Sequence, residues 1–146
     1  MKKIINKATR NILLVATAAM MLLYCSSCAR KISFQTSSVV PAAEGQVKLT
    51  KDGNKNYKIK IAISNLAEPE RLQPAKKTYV VWMQTADNGT KNIGQINSST
   101  EFLSGKLKAA FETVTAFKPV KIFITAEDDA SIQYPGIQVI LSTNNF

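Results

Sequence analysis

The sequence predicts an all-β chain, an antiparallel β-sandwich of about seven strands behind an N-terminal signal helix and tether. Three observations predict it. Residues 57–63 (YKIKIAI) alternate apolar and polar side chains with the period of a half-buried strand. Turn-forming clusters recur at roughly 8 to 14 residues, the spacing of short paired strands. No stretch after residue 28 repeats its apolar residues at the helical period.

At the start of the chain, residues 1–11 are basic and polar, with Lys2, Lys3, Lys7 and Arg10. Residues 12–24 (ILLVATAAMMLLY) form an uncharged apolar run of 13 residues. About 20 residues are needed to cross a bilayer as a helix, so the run reads as the core of an export signal. Residues 29–45 contain Ser, Ala and Pro with little periodicity and read as a tether, with room for a short strand near residues 32–36. Val47 and Leu49 alternate with polar neighbours. The turn-rich Asp52–Asn56 then joins that strand to residues 57–63 as a hairpin.

Residues 67–77 (AEPERLQPAKK) hold two prolines and several charges and read as a crossover between sheets. Residues 78–85 (TYVVWMQT) are apolar on both faces, as a central strand should be. A turn at Asp87–Thr90 returns the chain through residues 91–97, where Gly94 marks a bulge or a close backbone approach. Leu107, Ala109 and Phe111 line one face of a strand, and Val120, Ile122 and Ile124 line one face of the next. After breaks at Glu127–Ala130 and Pro135–Gly136, the alternating Ile137, Val139 and Leu141 read as the last strand. Trp82, on the apolar central strand, is expected between the sheets, by analogy with the strand-C tryptophan of immunoglobulin-like domains. The expected division is signal over residues 1–27, tether over 28–45 and sandwich over 46–146.

Charge narrows the function classes. The chain carries +9, but four of its 19 basic residues lie in the first ten positions; the remaining fifteen face ten acids, a net of +5. That balance does not predict a nucleic-acid binder. The chain has no histidine, which removes the commonest general base and metal ligand. Both cysteines lie in residues 22–28 (LLYCSSC), and no third Cys or any His is present to complete a zinc site around Cys25 and Cys28.

With the small residues Ser26 and Ser27 before Cys28, this N-terminus resembles a bacterial lipoprotein signal, although Cys25 stands where that family usually has Leu. The resemblance implies that Cys28 is acylated and becomes the first residue of the mature chain. Cleavage after Ala29, giving an unanchored protein, is the alternative. Residues 78–143 resemble the extracytoplasmic domain of anti-sigma-K factors. The residues that carry it are Tyr79 and Trp82, Gly89 and Gly94, Thr125 and Glu127, then Pro135 and Gly136. It implies a β-sandwich outside the cytoplasmic membrane. No sigma-binding segment or membrane-spanning helix is expected in the chain, so sigma-factor inhibition does not carry over, and the matching residues read as fold determinants.

Candidate sites are few. Arg71, Lys76 and Lys77, in or beside the proline-containing loop, are the candidates for contact with lipid headgroups or a partner. Glu127, Asp128 and Asp129 offer carboxylates to a hard cation, but without the spacing of a calcium loop they read as a solvated turn. Tyr79, Trp82 and Phe123 read as core rather than pocket. Lys58, Lys60, Lys106 and Lys108 read as edge and solubility charges. No nucleophile–base pair stands out, so no enzyme and no cofactor are expected. The expected partners are the membrane, through the lipid, and an envelope protein or polymer. The leading expectation is an interaction or sensing module in the bacterial envelope. The alternatives are an adhesive component assembling through strand edges, or a small envelope hydrolase.

Overall fold

The computed structural model describes residues 29–87, 89–96, 98–100 and 107–146, together with residues 6, 11 and 15. Apart from residues 6, 11 and 15, the signal segment expected over residues 1–27 lies outside the described residues, as does the acylation expected at Cys28. Among the described residues no helix is long and apolar enough to cross a membrane.

Nine strands form two antiparallel sheets: β1 (Arg30–Ser33), β2 (Glu44–Lys51), β3 (Tyr57–Ser64), β4 (Thr78–Thr85), β5 (Thr90–Ile96), β6 (Ser98–Thr100), β7 (Leu107–Thr115), β8 (Pro119–Glu127) and β9 (Val139–Ser142). One sheet has the order β1-β2-β3-β7-β6 and the other β5-β4-β8-β9. With β2 taken as strand A, the orders become A-B-E-D and C′-C-F-G, the arrangement of an immunoglobulin-type sandwich. β1 is an extra strand outside A.

Alternation builds the core. Val47, Ile59, Ile61, Ile63 and Ala109 point inward from the first sheet, and Tyr79, Val81, Met83, Ile122 and Ile124 from the second. Phe111 reaches across to β5, where Gly94 adopts φ +138° and a Cβ would lie 2.7 Å from the phenyl ring. The expected bulge is there: the β4–β5 register slips between Val81 and Trp82, opposite Gly94 and Asn92.

Three expectations need correction. The strand expected near residues 32–36 lies earlier, as β1 at Arg30–Ser33, and the rest of the tether docks as well. Phe34 bridges Thr143, the Gln35 N–H donates to the Ser142 carbonyl at 2.8 Å, and Val40 and Ala43 enter the core. No free linker therefore lies between Arg30 and β2. Trp82 is fully buried but not between the sheets. Its neighbours Val81 and Met83 belong to the inter-sheet core, so Trp82 points to the other side. Finally, Ile137, Val139 and Leu141 do not share one buried face. The β8–β9 register slips between Ile124 and Thr125, so Ile140 and Leu141 are both buried while Ile137 and Val139 are exposed.

The strand directions define two ends. Arg30, the β2–β3 turn, the β4–β5 turn and the β7–β8 turn lie at one, called proximal. The β1–β2, β3–β4 and β8–β9 connections lie at the other, called distal.

Candidate functional site

The distal connections are built from local hydrogen bonds. Ser37 Oγ accepts the N–H groups of Val39 at 3.2 Å and Val40 at 2.9 Å, which sends Val40 inward and leaves Val39 partly exposed. A single 3-10 turn at Pro69–Arg71 follows β3. Beyond it the Lys76 N–H donates to the Pro69 carbonyl at 2.9 Å, closing the loop. Leu66 and Leu72 anchor this connection in the core.

The β8–β9 connection, residues 128–138, folds over the outer face of the second sheet. Asn92 clamps it: Nδ2 donates to the carbonyls of Ala130 at 2.8 Å and Ile132 at 3.0 Å, while Oδ1 accepts the Gly94 N–H at 3.0 Å. Beneath it, Trp82 Nε1 donates to Thr125 Oγ1 at 2.8 Å, and the indole stacks on Phe123 with centroids 6.3 Å apart. Glu127 is buried and its Oε1 accepts the Gly136 N–H at 2.8 Å, so close that a Cβ at 136 would sit 2.6 Å from Oε2. Trp82, Thr125, Glu127 and Gly136 thus meet as two hydrogen-bonded pairs holding this region.

The acidic run is distributed among three separate tasks. Glu127 holds Gly136, Asp128 pairs with Lys76 at 2.7 Å, and Asp129 caps Ser131 through its N–H and hydroxyl, both at 2.8 Å. Those two bonds hold the Asp129 carboxyl below its ordinary range. No group of three potential metal ligands occurs among the described residues.

The expected contact residues also have structural partners. Arg71 pairs with Glu68 of its own turn at 2.9 Å, and Lys76 ties the β3–β4 and β8–β9 connections together through Asp128. The exposed Lys77 donates its N–H to the Glu127 carbonyl at 2.9 Å. All three lie at the distal end. Tyr79, Trp82 and Phe123 line no common pocket, since Tyr79 points to the core and the other two point outward. Burial, and then the Glu70 charge, push the Tyr79 phenol up to about 12, and its Oη donates to the Ala67 carbonyl at 2.8 Å. Lys58 and Lys60 lie on a central strand rather than an edge, and both pair with Glu112, whose carboxyl they lower.

Between the three distal connections opens a cleft of about 780 Å³, lined by Val39, Pro74, Ile137, Gln138 and Val139 among others. Ile137 is fully exposed, and Val39 and Val139 are more than one-third exposed. Gln138 also lines the cleft, and its Oε1 is buried without a hydrogen-bond partner, the one such side-chain atom among the described residues. An unpaired buried acceptor costs about 1–3 kcal/mol, a local cost in the segment that borders the cleft. A larger hollow of about 920 Å³ runs beside Phe34, Glu44 and Ser64, but it has no exposed large apolar side chain or orphaned polar atom among the described residues. The distal cleft is therefore the candidate site: an apolar rim with one amide acceptor, suited to binding. Sequence reasoning missed Ile137, Gln138 and Val39. The available signal was an isoleucine directly after Pro135–Gly136, where the backbone turns before the strand can start.

Comparison with models of known protein families, with curated proteins and with solved structures finds no match. The class the fold defines is an immunoglobulin-type β-sandwich.

Proposed function

We propose that this chain is a lipid-anchored, non-catalytic protein of the bacterial cell envelope. Acylated at Cys28, it uses its β-sandwich as an interaction or sensing module toward an envelope protein or polymer. One observation carries the binding role: a fully exposed Ile137 on a loop that Asn92 and Glu127 hold in place, beside an orphaned acceptor at Gln138. A pinned loop displaying an apolar side chain is pre-organised for contact, because little ordering is left to offset. The anchor reading rests on the lipoprotein-like signal, and the placement outside the cytoplasmic membrane also on the resemblance of residues 78–143. Arg30, two residues after position 28 in the sequence, lies at the end of the sandwich opposite the cleft, so an anchor at Cys28 would leave the cleft facing away from the membrane.

Assembly through strand edges has less support. β1 and β9 have four residues each and β6 has three. β1 carries Arg30 and Lys31, and β5 is interrupted by its bulge. Short, charged or bulged edges resist pairing with further strands. The test is a photoreactive residue placed at Ile137 or, as a control, at Lys60 in cells. Discrete adducts from position 137 alone are expected. Equal capture from both positions, or a ladder of self-adducts, would contradict the module reading.

A further inference from the structure

The molecule is polarised along its strands. Arg30, Lys51, Lys55, Lys91 and Lys118 are all exposed at the proximal end, where Asp52 and Asp87 are the acidic side chains that oppose them among the described residues. Asp52 is already occupied within its turn, accepting the N–H groups of Asn54 at 2.9 Å and Asn56 at 2.8 Å. Around the distal β3–β4 and β8–β9 connections the balance reverses, with Glu68, Glu70, Glu127, Asp128 and Asp129 against Arg71, Lys76 and Lys77. The proximal cations are interleaved with aromatic rings. Lys91 Nζ lies 4.5 Å from the Phe117 ring centroid, Lys51 Nζ 5.0 Å from that of Tyr57, and the Arg30 guanidinium 5.6 Å from that of Phe146. Phe117, at the tip of the β7–β8 turn, is 52% exposed, an apolar side chain flanked by charge.

We infer that the proximal end is a docking face for a bilayer surface of anionic lipid, with its cations among the headgroups and Phe117 at the acyl boundary. The inference rests on the anchored reading above and deepens it by naming the surface against which the domain sits. The chain enters the sandwich at Arg30, two residues after the proposed acylation site, and β1 begins there. Attachment at Cys28 therefore brings this end, and not the one bearing Arg71, Lys76 and Lys77, against the membrane. An anionic bilayer attracts each nearby cation by about a fivefold bias toward the bound state. Five cations against two acids give a net of three such biases, about a hundredfold in favour of docking over a domain swinging on its anchor. The attraction is screened within a Debye length, so raised salt weakens it.

The test uses the whole chain isolated with its membrane attachment and reconstituted into vesicles, one set of phosphatidylcholine alone and one containing phosphatidylglycerol. Lysine reactivity toward a water-soluble amine reagent is read site by site by mass spectrometry, and the mass of the peptide containing position 28 is read in the same sample. Lys51, Lys55, Lys91 and Lys118 should become unreactive in the anionic vesicles and recover in raised salt, while exposed distal Lys77 reacts equally in both. A Lys51→Glu/Lys55→Glu/Lys118→Glu variant should lose the protection of Lys91. Equal reactivity of the four lysines in the two vesicle types, in a chain whose position-28 peptide is acylated, overturns the docking face alone. An unmodified peptide overturns the anchor, and lipid-dependent protection then still stands for the face.

Discussion

Removing the Asn92 clamp is the most informative single perturbation of the distal site. Asn92→Ala deletes three hydrogen bonds, two to carbonyls of the β8–β9 connection and one from Gly94 N–H. A neutral hydrogen bond contributes about 1 kcal/mol net, and a buried group left unpaired costs about 1–3 kcal/mol. Asn92 is only partly buried, so some of its partners recover water, and the expected loss is about 2–4 kcal/mol. The loss should be local first. Trp82, the only tryptophan in the chain, lies fully buried under the connection, so its fluorescence reports the cover directly. The variant should show red-shifted emission and increased acrylamide quenching before the β-sheet circular dichroism changes in a denaturant titration. Asn92→Asp, which keeps the shape but turns an acceptor toward the two carbonyls, should be at least as damaging. Unchanged quenching with a stability loss below about 0.5 kcal/mol would refute the assignment of Asn92 as the clamp.

Other perturbations have equally specific outcomes. Tyr79 stays neutral in the folded chain up to about 12 whereas the unfolded chain ionises near 10, so stability should fall as pH rises between those values. The loss amounts to about 2–3 kcal/mol, and Tyr79→Phe should flatten it in denaturation curves recorded at each pH. Gly94→Ala places a Cβ 2.7 Å from Phe111 at a positive φ and should cost about 2–4 kcal/mol in a urea titration. Leu66→Ala empties a fully buried position under the β3–β4 connection and should cost about 2–5 kcal/mol by the same measurement.

The strands that could be read from the sequence were those with one wet face. Lys58 and Lys60 alternate with Ile59 and Ile61, and Lys108 with Ala109, so period two is explicit there. β4 was recognisable as a central strand because both its faces are apolar, and for that same reason its inward face was not. Parity along Tyr79, Val81 and Met83 gives no hint that Trp82 belongs to the other side until the loop of residues 128–138 is known to cover it. β6 is Ser98–Thr100, three small polar residues paired in register with β7, and it has no local signal in the sequence. At β9 the bulge at Ile140 broke the alternation. That break exposes Ile137 and Val139, and so creates the candidate cleft out of residues that looked like core. The docking face was invisible for a different reason. Arg30, Lys51, Lys91 and Lys118 are scattered over some ninety positions and converge only because antiparallel strands bring alternate turns to one end.

The anchored placement of the sandwich rests on acylation at Cys28. Metabolic labelling with palmitate in cells expressing the wild-type chain or Cys28→Ala tests it most directly. Label in the wild type and none in the variant is the expected result. An unlabelled wild-type chain, or label that persists in Cys28→Ala, would contradict it.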